Sequence, residues 1–312
     1  MTPLPAAEIP AAVLAAAPDA AWTPNWALIA AAPDAAWTPN WALIAASPDA
    51  AWTLNWGAIA AVGVVGTAYA RRWAIARREA GPAAAPVWRL ASFLAGLALV
   101  LAALVSPIDR LGEQLFVMHM VQHLLVLDLA SILLIVGLTR VILRPVTRRV
   151  QALERAAGPL ATPAFALAAY VAGIALWHVP ALYDAALEHP ALHALEHVTF
   201  GAIGALYWWH LLSPIRSRHR LTGMGPVAYM FTAKVLVGLL GILLTFSPDA
   251  LYEFYEQRPR YWGMSAVTDQ NVGGAVMALQ QSLVMGVAMV VLLVRQLTES
   301  EREAQRGERF AA

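Results

Sequence analysis

Seven stretches of mostly apolar residues recur along the chain, at 54–70, 89–106, 115–138, 160–180, 191–213, 225–247 and 271–294. Each is close to the roughly 20 residues that carry an α-helix across a bilayer core. In lipid every backbone N–H and C=O must be satisfied internally, which leaves helices as the only way such segments can span. The expected fold is all-α, a polytopic membrane protein with a seven-transmembrane-helix bundle. Composition agrees, because 60% of the residues are apolar and only 13% charged, which excludes an ordinary soluble domain.

The arginines give the bundle a direction. Seventeen lie in the links between segments one and two, three and four, and five and six, and in the tail; the opposite links hold only Arg110, Arg258 and Arg260. By the positive-inside rule the arginine-rich links are cytoplasmic, with the N-terminus outside and the C-terminus inside. Three regions follow: a Trp/Ala/Pro-rich N-terminal arm (1–53), the seven-span membrane domain (54–297) and a charged cytoplasmic tail (298–312). The arm repeats itself every 15 residues, from Pro18, Pro33 and Pro48. Proline breaks the first two copies, whereas Leu54 stands at the equivalent place in the third and lets it run into a span. The repeats read either as a duplicated lead-in to the first helix or as an interfacial arm that docks a partner. The first 50 residues carry no Lys or Arg, which argues against a cleavable secretory signal.

The chain has no cysteine. A disulfide framework and a thiolate metal site are both excluded, and any soft ligand must be methionine. Of the eight histidines, five fall at one depth beneath the outer surface: His119 and His123 at the start of span three, His178 at the end of span four, and His193 and His197 at the start of span five. His119/His123 and His193/His197 are (i, i+4) pairs, each projecting from one helix face. A helix that supplies two ligands to one metal uses that spacing. A lone histidine there would be an interfacial residue; five on three consecutive spans point to a metal or haem site, since polar groups inside lipid are costly.

Imidazole suits Zn, Cu, Fe and Ni, and thioether selects Cu(I). Met120 lies about 60° around the helix from His123 and comes into reach as a thioether ligand, while Met118, at about 140°, does not; both also suit flexible core packing. Glu196 is either a carboxylate that fixes an imidazole tautomer or an exposed acid near a helix start. Asp128 and Lys234 lie at similar depth and are expected to form a buried ion pair between spans three and six, with a lone protonated Asp128 or a proton relay as alternatives. Tyr183, Tyr252, Tyr255, Tyr261 and Trp262 in the outer loops suit a docking rim or interfacial anchors.

Three blocks, SPIDRLGEQLFVMHMVQHLL, LWHVPALYDAALEHPALHALEHVTF and YWGMSAVTDQNVGGAVM, resemble the CtaG-type cytochrome c oxidase assembly factors, and the likeness runs over about 52–297. The resemblance implies a copper-binding metallochaperone that helps deliver copper, as Cu(I), to a haem-copper cytochrome c oxidase at the outer membrane face. The family's histidine motifs fall here on His119, His123, His178, His193 and His197. The implied partners are the lipid bilayer and an oxidase subunit or another copper chaperone, with no nucleic acid, and the implied location is the bacterial inner membrane, multi-pass. Such a protein binds and releases metal and is not an enzyme. The rival readings are a seven-span intramembrane zinc hydrolase and a bis-histidine haem protein. Two features depart from the family pattern: Asp128, and MALQQSLVM in the last span.

Overall fold

Helix boundaries in this chain are written by capping residues. The Asn55 side chain accepts from the Ala58 N–H and opens α1, Trp56–Ala80, which ends at Gly81 with φ 82°; only glycine adopts that conformation without strain. The computed structural model describes residues 50–215, 217–258, 262 and 264–311. The first two copies of the repeat and Tyr261 lie outside the described residues. After α1 come α2, Val87–Val105, and α3, Phe116–Gly137. Thr162 caps α4, Pro163–Trp177. Prolines at their first turns, where a missing N–H costs nothing, open α5, Pro180–Glu188, and α6, Pro190–Leu212. The last two long helices are α7, Gly225–Phe246, and α8, Ala266–Ala311. Short helices at Pro107–Gly112, Arg140–Leu143, Thr147–Ala157 and Glu253–Glu256 fill the links.

A helix stands at each of the seven apolar segments. Among the described residues, four are long and apolar enough to cross a membrane: α2, α3, α7 and the Ala266–Val294 part of α8. A fifth is added if Thr147–Ala161 and α4, which meet at 64°, count as one broken span. The chain is therefore a multi-pass, all-helical membrane protein. Helices α1 and α6 fall outside that test, α1 because it ends in arginines and α6 because it carries His193, Glu196, His197 and His210. In the charged tail, 298–311 continues α8 without a break.

Small residues set the closest helix contacts, as they do where lipid supplies no hydrophobic drive between helices. A side chain on Gly274 of α8 would meet Leu244 and Thr245 of α7 at 2.8 and 2.6 Å, and one on Gly204 of α6 would run into the carbonyl of Leu127. The buried core behind these contacts is aromatic, with Tyr170, Tyr207, Trp208 and Phe200 among its largest side chains. Leu236, Leu239, Leu243, Leu279, Leu283, Val287 and Val290 point outward, an apolar coat suited to lipid.

Candidate metal site

Helix α3 starts against α8. Asp269 accepts from the backbone N–H groups of Phe116 and Val117, at 2.7 and 3.0 Å, and so caps the helix that carries HMVQH with a negative charge at its positive end. Two turns later His119 and His123 face the first turns of α6. The ring centroids of His119 lie 4.1 Å from His123, 5.3 Å from His193 and 6.4 Å from His197; those of His123 and His197 are 5.7 Å apart, and those of His193 and His197 4.4 Å. The two (i, i+4) pairs thus meet face to face.

Glu196 sits between them, 1% exposed. Its carboxylate oxygens lie 3.6 Å from His119 Nε2 and 3.4 Å from His123 Nε2, near enough for electrostatic attraction and too far for a good hydrogen bond. One ligand atom each from His119, His193 and Glu196 fall within 4.8 Å of one another. Both ring nitrogens of His119 and of His123, Nε2 of His193 and His197, and both Glu196 oxygens are buried with no hydrogen-bond partner. Native interiors satisfy nearly all such atoms, and each orphan costs about 1–3 kcal/mol. A group of orphans aimed at one point is the signature of a ligand site.

His178 joins from the end of α4. Its Nδ1 lies 2.8 Å from the Ile174 carbonyl, which makes Nδ1 the protonated nitrogen and leaves Nε2, buried and without a partner, as the free lone pair. Its ring neighbour is Tyr183 at 6.1 Å, which also lies tilted beside His119 at 5.2 Å. Met120 takes a different direction: it packs with Phe116 where Gly273 of α8 leaves room. Met118 joins an apolar cluster with Leu111, Leu115 and Met264.

Three sequence readings are corrected here. Tyr183, Tyr252 and Tyr255 are 1%, 2% and 3% exposed and form no docking rim. They pack around Phe116 at the N-terminal side of the histidines, Tyr252 stacked with centroids 5.0 Å apart, Tyr183 tilted and Tyr255 edge-on, arrangements that aromatic rings favour when buried. Glu196 is no exposed helix-start acid. Asp128 has no ion pair with Lys234. Its Oδ1 accepts from Tyr170 Oη and Trp208 Nε1, both at 2.8 Å, and its Oδ2 from the Gln280 and Gln281 amides, both at 3.3 Å. Lys234 has no ion-pair partner among the described residues. The signal for Asp128's partners lay in the QQ of MALQQSLVM, the stretch that departs from the family pattern.

Between the two histidines of α3, Gln122 ties that helix to the Pro107–Gly112 helix. Its amide donates to Asp109 Oδ1 at 2.7 Å and to the Ala103 carbonyl at 2.8 Å, while Thr53 donates to Asp109 Oδ2. Burial pushes the Asp109 carboxyl above its ordinary range, against the pull of the Thr53 and Gln122 hydrogen bonds.

The class defined by this fold and site is a multi-pass helical membrane protein with a buried histidine–carboxylate cluster near the ends of two helices. The chain belongs to the cytochrome c oxidase caa3 assembly factor (Caa3_CtaG) family, whose model matches residues 67–299. It is similar to the uncharacterized proteins Mb0105 of Mycobacterium bovis and MT0111 of Mycobacterium tuberculosis, each 27% identical over 273 residues, covering 80% of this chain and 40% of the relative. The uncharacterized protein ML1998 of Mycobacterium leprae is 23% identical over 247 residues, covering 72% and 37%. The chain thus spans about 40% of the length of these curated relatives. No solved structure matches it. Membership of an assembly-factor family points to a non-catalytic role and gives no support to the zinc-hydrolase reading.

Proposed function

We propose that the protein holds copper between α3 and α6 and passes it to a cytochrome c oxidase subunit, or to another copper chaperone, at the outer face of a bacterial inner membrane. The reading rests on one observation, the convergence of orphaned imidazole nitrogens and carboxylate oxygens from His119, His123, His193, Glu196 and His197. A cation inserted there would be ligated by one atom each from His119, His193 and Glu196, which lie within 4.8 Å of one another, with His123 and His197 beside them.

Charge favours the monovalent ion. Burying net charge in lipid is expensive, and neutral imidazoles with one ionised Glu196 leave a single negative charge for the metal to balance. Cu(I) balances it; a divalent ion would leave one positive charge over. The donors are distributed so that release stays easy. His119, His123 and Glu196 are buried, whereas His193 and His197 keep partial exposure, which makes the α6 pair the side through which an acceptor exchanges ligands. His178 supplies a further lone pair from α4 as an intermediate stop. The same reading takes α1 and α6 as spans, so that seven helices cross with the arginine-rich links inside. The polar residues that remove α6 from a test of apolar length are the ones that build the site.

The test is elemental analysis of detergent-purified protein after loading with Cu(I) and, separately, Zn(II), wild type beside His119→Ala/His123→Ala. Copper retained by the wild type and lost from the double variant is the expected result. Zinc retained in preference, or no metal in either protein, overturns it.

A further inference from the structure

Directly below the histidines α3 stops being an α-helix. Leu125–Ala130 forms a π-helical turn, which accommodates one extra residue and shifts the two flanking segments by about 100° relative to a continuous α-helix. The shift has a visible result. In an unbroken helix Asp128, nine residues after His119, would lie about 180° around the axis. In the structure both reach α6, His119 through His193 and Glu196 and Asp128 through Trp208.

A π turn is a less favourable geometry than the α-helix and persists where its surroundings over-determine it. Here they do so from three helices. Asp128 is fully buried, and its carboxylate collects Tyr170 of α4, Trp208 of α6 and Gln280 and Gln281 of α8, with Gln281 also donating to Tyr170 Oη at 2.9 Å. Gly204 of α6 lets the Leu127 carbonyl approach in the same turn. The segment below is locked onto α2, where Gly96 fits against Ala130 and Leu134, and Gly137 against Phe93. If the turn relaxed to α, one flank would have to turn against its ties, the lower against α2 and the upper, with the histidines, against the Asp269 cap and the Gln122 hydrogen bonds.

We propose that Asp128 is a positioning residue for the metal site: by holding the π turn it sets the rotation of α3 that aims His119 and His123 at α6. The proposal rests on the copper reading above, and its test separates the two. Asp128→Leu is expected to lower copper retention by about tenfold or more, the scale typical of supporting residues around a metal site. Removing Leu125 from that variant deletes the extra residue, makes the turn an ordinary α-helix with both flanks in native phase, and is expected to restore copper. A role in stability alone would not be rescued by a deletion.

Because the chain has no cysteine, a thiol pair introduced by His123→Cys and Phe200→Cys, whose native rings lie 4.4 Å apart, reports the phase of α3 without metal. Cross-linking of that pair should be efficient in the otherwise native chain, fall with Asp128→Leu and return when Leu125 is removed. Native copper retention and cross-linking in Asp128→Leu, or losses that removal of Leu125 fails to reverse, overturn the proposal. Efficient cross-linking of the Cys pair in the otherwise native chain, with no copper retained by the wild type, overturns the copper reading, and the cross-linking series alone then decides the role of Asp128. Should Asp128→Leu not accumulate, Tyr170→Phe and Trp208→Phe each delete one donor, for an expected loss of about two- to tenfold; no loss in either is a negative result for the proposal.

Discussion

Asp128 and Glu196 are the two most deeply buried carboxylates among the described residues, and their surroundings are opposites. Glu196 is 1% exposed and Asp128 0%. Asp128 accepts four hydrogen bonds from three helices; Glu196 accepts none and faces imidazoles that are equally unpartnered. A carboxylate whose own oxygens are satisfied in lipid is a fastening, because its lone pairs have already gained what they can from the protein. An unsatisfied one is a seat for something the protein has yet to receive. Depth and residue type do not separate the two; the count of unmet lone pairs does.

Neutralising each carboxylate in turn should break the symmetry most clearly. Glu196→Gln is expected to lose about ten- to a hundredfold in copper retention, with an unchanged or higher thermal midpoint in metal-free protein, since it removes a buried charge that no hydrogen bond compensates. Asp128→Asn should lower the metal-free midpoint, by about 1–3 kcal/mol of stability, because one acceptor oxygen becomes an N–H aimed at other donors. Equal midpoints for the two variants would erase the distinction. A smaller effect is expected from Asp269→Ala, which uncaps α3: about 1 kcal/mol in unfolding, together with faster hydrogen exchange at Phe116 and Val117. Native exchange at those amides would mean the cap is idle.

Asp109, in the short helix that precedes α3, offers a pH probe. Its folded carboxyl titrates above the unfolded value of 3.8, so the folded state binds more protons between the two values and stability falls as pH rises through that interval. Asp109→Asn should flatten that slope in a thermal-midpoint series across the acidic range; an unaltered slope would locate it elsewhere. The smallest effect is expected from Lys234→Met, with a midpoint close to that of the native chain, because Lys234 has no ion-pair partner among the described residues to lose. A marked loss would reinstate a pairing partner for it.

The parts of this architecture legible in the sequence are those that depend on period and spacing. Apolar length placed a helix at all seven segments, and the (i, i+4) histidine pairs were enough to bring α3 and α6 face to face. What stayed hidden depends on departures from ideal geometry. Nothing in LVLDLA announces a π turn, and an ideal helix sends Asp128 to the face opposite His119. Depth alone then suggested Lys234 as its partner, when the donors were two glutamines, a tyrosine and a tryptophan whose neutrality gave no charge signal. Tyr183, Tyr252 and Tyr255 read as interfacial because their loops are; their burial comes from stacking on Phe116, a tertiary fact. The tail's Glu, Ala, Gln and Arg are good helix formers, and α8 runs on through 298–311.

Helix α8 meets α3 at two levels, through Asp269 at its first turn and through Gln280 and Gln281, eleven to twelve residues on and hence about 17 Å along the axis. α8 therefore acts as a ruler against which α3 is measured. Side chains between these marks can be exchanged where packing permits, but the number of residues between them cannot drift in one helix alone. A single insertion in α3 would leave either the cap or the glutamines without their mate. For a chain of this family the informative comparison between relatives is accordingly one of paired length: a relative whose third helix is a residue shorter between the histidines and the position of Asp128 has no need of a carboxylate there.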